Sequence, residues 1–263
     1  MLVPSSQLLH SKITLVSTKE QLMTDEVVWA KSFPRLYDLY CASDRSSPKN
    51  YLEQPAVKKA LIDRSPGHPE IESELQQLYD VAWAEFKAKT KDYVARQDKW
   101  GWPTPLFDRF NEVKGYIYLK EQGYTGIHFI PELPSQKTPD LIGKRDNSSS
   151  VLEVKTINES DDRKDYLTNS GKYSRTKDFL QVQSRLAPEL QNKLDKTIQD
   201  AIKQLESVTE AVDRRIVFLA LELDFDYANQ TLEQIDMFLR QTRVEGIEIV
   251  CCDVNRSVVV VRC

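Results

Sequence analysis

The run of residues 215–223, RIVFLALEL, constrains the fold more than any other part of the sequence. A strand that is apolar on nearly every residue has to be covered on both faces, which is the situation of a parallel strand between layers of helix. The surrounding elements agree. Residues 105–122 carry helical periodicity, with Phe107, Phe110, Val113 and Ile117 on one side and Gly123 as the glycine that ends the helix. Strand-like runs follow at 126–130, 139–142 and 150–157, the last two joined by the polar loop GKRDNSS. A long helix is predicted over 188–208, then the apolar strand, a helix near 232–240, and terminal strands at 247–253 and 257–262. The order is α-β-β-β-α-β followed by α-β-β. This is the fold class α/β, a mixed sheet with helices packed on it.

The first hundred residues read differently. Thr24 and Asp25 can cap a segment EVVWAKSFPRLYDLY that Pro34 kinks or breaks, and a short helix is expected at 55–61. Residues 68–96 read as one long helix with a stripe of Ile71, Leu75, Leu78, Val81, Ala82 and Phe86, broadened by Tyr79, Trp83 and Tyr93. Trp100-Gly101-Trp102-Pro103 interrupts this pattern, so a helical N-terminal region is expected over 1–98 and an α/β domain over 99–263.

Composition narrows the function classes. Cys41, Cys251, Cys252 and Cys263 have no CxxC or Cys/His spacing, and His10, His68 and His128 are scattered. A zinc site, a disulfide framework and histidine chemistry are therefore not expected. No stretch approaches the roughly 18 uncharged apolar residues of a membrane helix, and the N-terminus lacks the basic region of a signal peptide. A cytoplasmic protein without a membrane partner is expected. A net charge of −4 argues against a wholesale basic coat.

The chemistry is concentrated in KTPDLIGKRDNSSSVLEVKT. Alternation on a strand puts Glu153 and Lys155 on one face and Leu152, Val154 and Thr156 on the other. Asp140, at the start of the neighbouring strand, can point to the same spot. Two carboxylates and a lysine at one sheet edge need a reason, and a divalent cation supplies one. Acidic-x-Lys triplets also occur at Glu85, Glu112 and Asp162, so the triplet alone decides nothing. Only Glu153-x-Lys155 lies in an apolar strand, and the chain's only Pro-Asp pair precedes it by one hairpin. The plainer alternatives are an ordinary ion pair on a solvated face for Glu153 and Lys155, worth ~0–1 kcal/mol, and a surface glutamate for Glu112. A kinase-like reading of LEVKT fails for want of a glycine-rich loop, HRD and DFG.

Pro139-Asp140, Glu153-x-Lys155 and the element order over 105–223 resemble the PD-(D/E)XK phosphodiesterase superfamily, the restriction-endonuclease-like fold. The resemblance implies an αβββαβ core and a Mg2+-dependent (or Mn2+-dependent) nuclease, a hydrolase acting on DNA ahead of RNA. It implies Asp140, Glu153, Lys155 and Glu112 as catalytic residues, the last standing on the helix before the first strand. It also implies Asp140, Glu153, the Val154 carbonyl and Glu112 as metal ligands. The Gln-xxx-Tyr element of the helicase-linked exonucleases is missing, since Lys203 follows Gln199 and Val208 follows Gln204.

Residues 163–203 hold nine Lys and Arg against five acids, a net +4 beside −8 for the rest of the chain. Lys172, Arg175, Lys177, Lys193 and Lys196 are the expected nucleic-acid-binding residues, with Tyr166, Tyr173 and Phe179 as stacking partners. The alternative is a solvated loop beside a surface helix. A second function class also stays open: a catalytically silent nucleic-acid-binding or protein-interaction module on the same fold. The terminal strand could pair in a homodimer or complete the monomer's own sheet.

Overall fold

A computed structural model of the chain describes residues 26–63, 67–99, 101–133, 137–158, 186, 188–208, 212–222, 228–242, 244–253 and 258–262. The chain divides into two compact units, one of Met1–Gln77 with Lys91–Arg96, the other of Leu78–Thr90 with Gln97–Cys263. The expected boundary at residue 98 thus has an exception, because residues 78–90 belong with the sheet.

In the first unit residues 26–32 are helical, Phe33 interrupts, and helix α1 runs Pro34–Ala42. Proline at the first helical position has no N–H to lose, so the break falls at Pro34 as its chemistry requires. Helices α2 (Pro55–Ile62) and α3 (His68–Leu75) follow. The start of α1 has no local side-chain cap. Glu72 of α3 supplies one instead, accepting from the backbone N–H groups of Arg35 and Leu36, each at 3.0 Å. Tyr40, fully buried, packs 4.5 Å from the Trp29 ring and donates its hydroxyl proton to Glu53 at 2.6 Å.

The single helix expected over 68–96 is two helices. It ends with α3 at Leu75 and restarts as α4, Asp80–Thr90. The two pieces belong to different units, so the periodicity that joined them on paper does not describe one face. Tyr79 and Val81, expected in the stripe, are accordingly exposed, whereas Ala82 and Phe86 are buried.

The second unit is built on a six-stranded sheet of β1 (Thr125–Phe129), β2 (Leu141–Arg145), β3 (Ser148–Asn158), β4 (Arg214–Glu222), β5 (Ile247–Cys252) and β6 (Val258–Arg262), in that spatial order. β1, β2 and β3 are antiparallel neighbours, β3, β4 and β5 are parallel, and β6 returns antiparallel to β5. The sheet is therefore mixed, and the terminal strand finishes the monomer's own sheet. Much of the loop expected between β2 and β3 is strand: Lys144 pairs with Ser149 and Arg145 with Ser148. Only Asp146 and Asn147 turn the chain, Asp146 with φ 55°, a left-handed conformation that Asp tolerates better than most residues.

Helices cover both faces of this sheet, as the apolar strand β4 demanded. On one side α6 (Pro188–Glu206) lays Leu194, Ile198, Ala201, Ile202 and Leu205 on Val151, Ile157, Val217 and Leu219, and Ile235 and Leu239 of α7 (Ala228–Gln241) extend the same cluster. Each such fully buried Leu or Ile contributes ~1.5–3 kcal/mol relative to exposure. On the other side lies α5, Thr104–Glu121. Its Gly115 comes so close to the sheet that a Cβ there would sit 2.9 Å from Val154 Cγ2, 3.1 Å from Leu152 Cδ2 and 3.2 Å from Leu141 Cδ1. A glycine in mid-helix is unfavourable by roughly 1 kcal/mol relative to alanine, and here it permits that approach. Helix α4 lies over β1, with Phe86 5.2 Å from the Phe129 ring, while Tyr116 stacks on Phe129 at 5.8 Å. Among the described residues no helix is long and apolar enough to cross a membrane.

Candidate functional site

Asp140 sits one residue before β2, where that strand begins to pair with β3. Its backbone N–H donates to Leu152 O at 3.1 Å and its carbonyl accepts from Ile130 N–H at 2.9 Å. Its carboxylate Oδ2 accepts from the buried Val154 N–H at 3.0 Å. The side chain is therefore pinned by the strand that carries Glu153 and Lys155. Those two alternate out on the face opposite Val154, with Lys155 Nζ 2.5 Å from Glu153 Oε1 and 3.2 Å from Gln204 Oε1. Glu112 comes from α5, one turn before Gly115, so the close approach of that helix is what brings it to the strands.

These groups share one pocket of about 480 Å3, lined among others by Arg109, Glu112, Asp140, Glu153, Lys155 and Gln204. Neither acid matches its plainer alternative of a solvated residue: Glu112 is 3% exposed and Glu153 1%. Burial pushes the Glu112 carboxyl up to about 8, helped by the Asp140 charge and opposed by Lys89 and Arg109. Burial likewise pushes Glu153 up to about 8, again with Asp140 as the strongest unfavourable charge and Lys155 opposing. Two acids raised for the same reasons mark a pocket with more negative charge than its solvation supports.

Three residues that sequence reasoning did not find belong to this pocket's electrostatics. Lys89, from the last turn of α4, lies between Glu112 Oε2 and Asp140 Oδ1, 2.9 Å from each, with its side chain 6% exposed. Burial works against its charge, but Asp140 and Glu112 outweigh that and hold its pKa above the ordinary lysine value. Arg109 pairs with Glu112 and with Glu132, and reaches Asp140 at 3.9 Å. Gln204 holds Lys155 and donates to Thr138 O at 2.5 Å, which ties α6 to the segment before Asp140. The Arg109–Glu112 pair has helical i,i+3 spacing and was visible in principle. Lys89 carries no local signal, since it is 51 residues from Asp140.

Among the described residues no group of three or more His, Cys, Asp or Glu side chains stands ready to hold a metal ion. Lys89 occupies the space between two of the expected ligands. The donor chemistry nevertheless suits a hard divalent cation. Every expected donor is oxygen, and Glu153 Oε2 is buried without a hydrogen-bond partner.

Of the expected nucleic-acid-binding residues, Lys172, Arg175 and Lys177 lie outside the described residues. Lys193 donates to the backbone carbonyl and Oδ1 of Asn158, at 2.8 and 2.9 Å, and so ties α6 to the end of β3. Lys196 is exposed on the outer face of α6. No family model, curated protein or solved structure matches the chain.

Proposed function

We propose that this protein is a metal-dependent phosphodiesterase that hydrolyses nucleic acid, DNA ahead of RNA, on a restriction-endonuclease-like core formed by α5, β1, β2, β3, α6 and β4. The observation that carries the reading is the convergence of Glu112, Asp140 and Glu153, from three different elements, with Lys155 in one buried-floored pocket. The α5-β1-β2-β3-α6-β4 order, with β3 and β4 parallel, supports it.

Asp140, Glu153 and the Val154 carbonyl would hold Mg2+ or Mn2+, with Glu112 completing the donor set. Such an ion supplies polarisation of a phosphoryl oxygen and a water acidic enough to attack. The protein's own part is positional. The Val154 N–H fixes the Asp140 carboxylate, and Glu153 and Gln204 hold the Lys155 ammonium at the pocket wall. There Lys155 can donate to a non-bridging phosphate oxygen as charge develops on it. Removing one such preorganised donor costs about a hundredfold or more in rate.

Incubation with plasmid, linear and single-stranded DNA and with RNA in Mg2+ or Mn2+ tests this. The wild type should cleave, and Asp140→Asn and Lys155→Ala should not. Cleavage that survives both substitutions refutes the site. The pairing of the three acids with Lys89, Arg109 and Lys155 favours a second reading, a silent nucleic-acid-binding or protein-interaction module. Absence of both cleavage and Mn2+ binding would select it.

A further inference from the structure

Among the described residues, Lys89 is the one basic group that touches two of the expected metal ligands at short range. Its ammonium is equidistant, at 2.9 Å, from Glu112 Oε2 and Asp140 Oδ1, and almost no solvent reaches it. Lys155, by contrast, touches Glu153 and is 28% exposed. We propose that Lys89 is a built-in counter-ion, which holds the place of a divalent cation between Glu112 and Asp140 and is expelled when the ion binds. The proposal rests on the metal-site reading above and adds a competitor to it.

Position argues for expulsion rather than coexistence. An ammonium 2.9 Å from both Glu112 Oε2 and Asp140 Oδ1 stands where an ion held by those two oxygens would stand. A dication brought beside a retained ammonium would also repel it, and the repulsion is strong where so little solvent screens it. Arg109, shared between Glu112 and Glu132, and Lys155, on Glu153, have partners of their own and need not move. The side-chain chemistry permits the exchange. Lysine presents a point charge on a flexible four-carbon stem, whereas Arg109 is a planar fork engaged by both Glu112 and Glu132. The position of Lys89 in the last turn of α4 also favours a cation in the absence of metal, because helix C-termini carry partial negative charge.

Two measurements on the full chain test this. Lysine acetylation read by mass spectrometry, with and without Mn2+, should find Lys89 protected in the metal-free protein. On Mn2+ addition it should become at least several-fold more reactive, while Lys87 on the same helix stays unchanged. Calorimetry or the Mn2+ spin-resonance signal should then find the ion bound at least about tenfold more tightly by Lys89→Met than by the wild type, since a unit charge a few ångströms away has been removed. If Mn2+ binds but Lys89 stays protected, or Lys89→Met binds it equally or more weakly, the counter-ion role is overturned and the metal site stands. If neither protein binds Mn2+, both are overturned. Should Lys89→Met fail to fold, the acetylation of the wild type decides.

Discussion

Substitution of Gly115 by alanine isolates the contact that brings α5, and with it Glu112, to the sheet. Alanine at an interior helical position is favoured over glycine by about 1 kcal/mol, from backbone entropy alone. Against this, the new methyl would lie 2.9 Å from Val154 Cγ2, closer than side chains pack, with Leu152 Cδ2 and Leu141 Cδ1 at 3.1 and 3.2 Å. The two leucine methyls end flexible side chains and can yield. Val154 cannot yield as easily, because it is β-branched and its backbone is held by Phe218 of β4 on one side and by the Asp140 carboxylate on the other. Overpacking of this kind costs ~1–3 kcal/mol. The net expectation is a loss of roughly 0–2 kcal/mol, read as a lower urea midpoint at unchanged m value. The decisive comparison is a double-mutant cycle with Val154→Ala. In that background the obstructing methyl is gone, and Gly115→Ala should become stabilising by about 1 kcal/mol. An equal effect of Gly115→Ala in the two backgrounds would refute the close-approach argument.

Three further outcomes are expected. Glu112 and Glu153 have folded pKa values near 8 against an ordinary 4.5. The stability they contribute is therefore full below 4.5 and is lost as pH rises through about 8; thermal melts of the metal-free protein should fall across that window and flatten in Glu112→Gln/Glu153→Gln, and identical profiles would count against the burial argument. Asp140→Ala leaves the Val154 N–H buried without its acceptor whereas Asp140→Asn retains an oxygen there, so urea denaturation should find the alanine variant less stable by about 1–3 kcal/mol. Glu72→Ala removes the acceptor at the start of α1 and should cost ~0.5–2 kcal/mol, with faster hydrogen exchange at the Arg35 and Leu36 amides; unchanged exchange would refute the capping role.

The parts of this structure that could be read from sequence are those fixed by local chemistry. The apolar run in β4, the glycine ending α5 and the alternation in β3 each follow from a few adjacent residues, and the elements they imply are present. The same alternation put Glu153 and Lys155 on one face, and Asp140 was assigned to the neighbouring strand. What escaped was set by packing between distant segments. Nothing in residues 76–79 announces a helix break, since Leu75 and Leu78 are both buried and keep the period. The loop expected between β2 and β3 is longer than the Asp-Asn turn because Lys144, Arg145, Ser148 and Ser149 look like loop residues, although they pair at the ends of two interior strands. Lys89 lies within the residues expected to be helical but carries no signal of its own, and only the tertiary fold sets it beside Asp140.

Strand β3 carries Glu153 and Lys155 between β2 on one side and β4 on the other. During synthesis β2 and β3 leave the ribosome in succession, but the second neighbour of β3 is complete only at Glu222. Gln204, which holds Lys155, also follows that lysine by 49 residues. A growing chain that has already emitted Glu112, Asp140, Glu153 and Lys155 therefore has every charged group of the pocket and none of the α6 wall that steadies it. The site comes into being only once α6 and β4 have joined β3, well after its charged groups have been made.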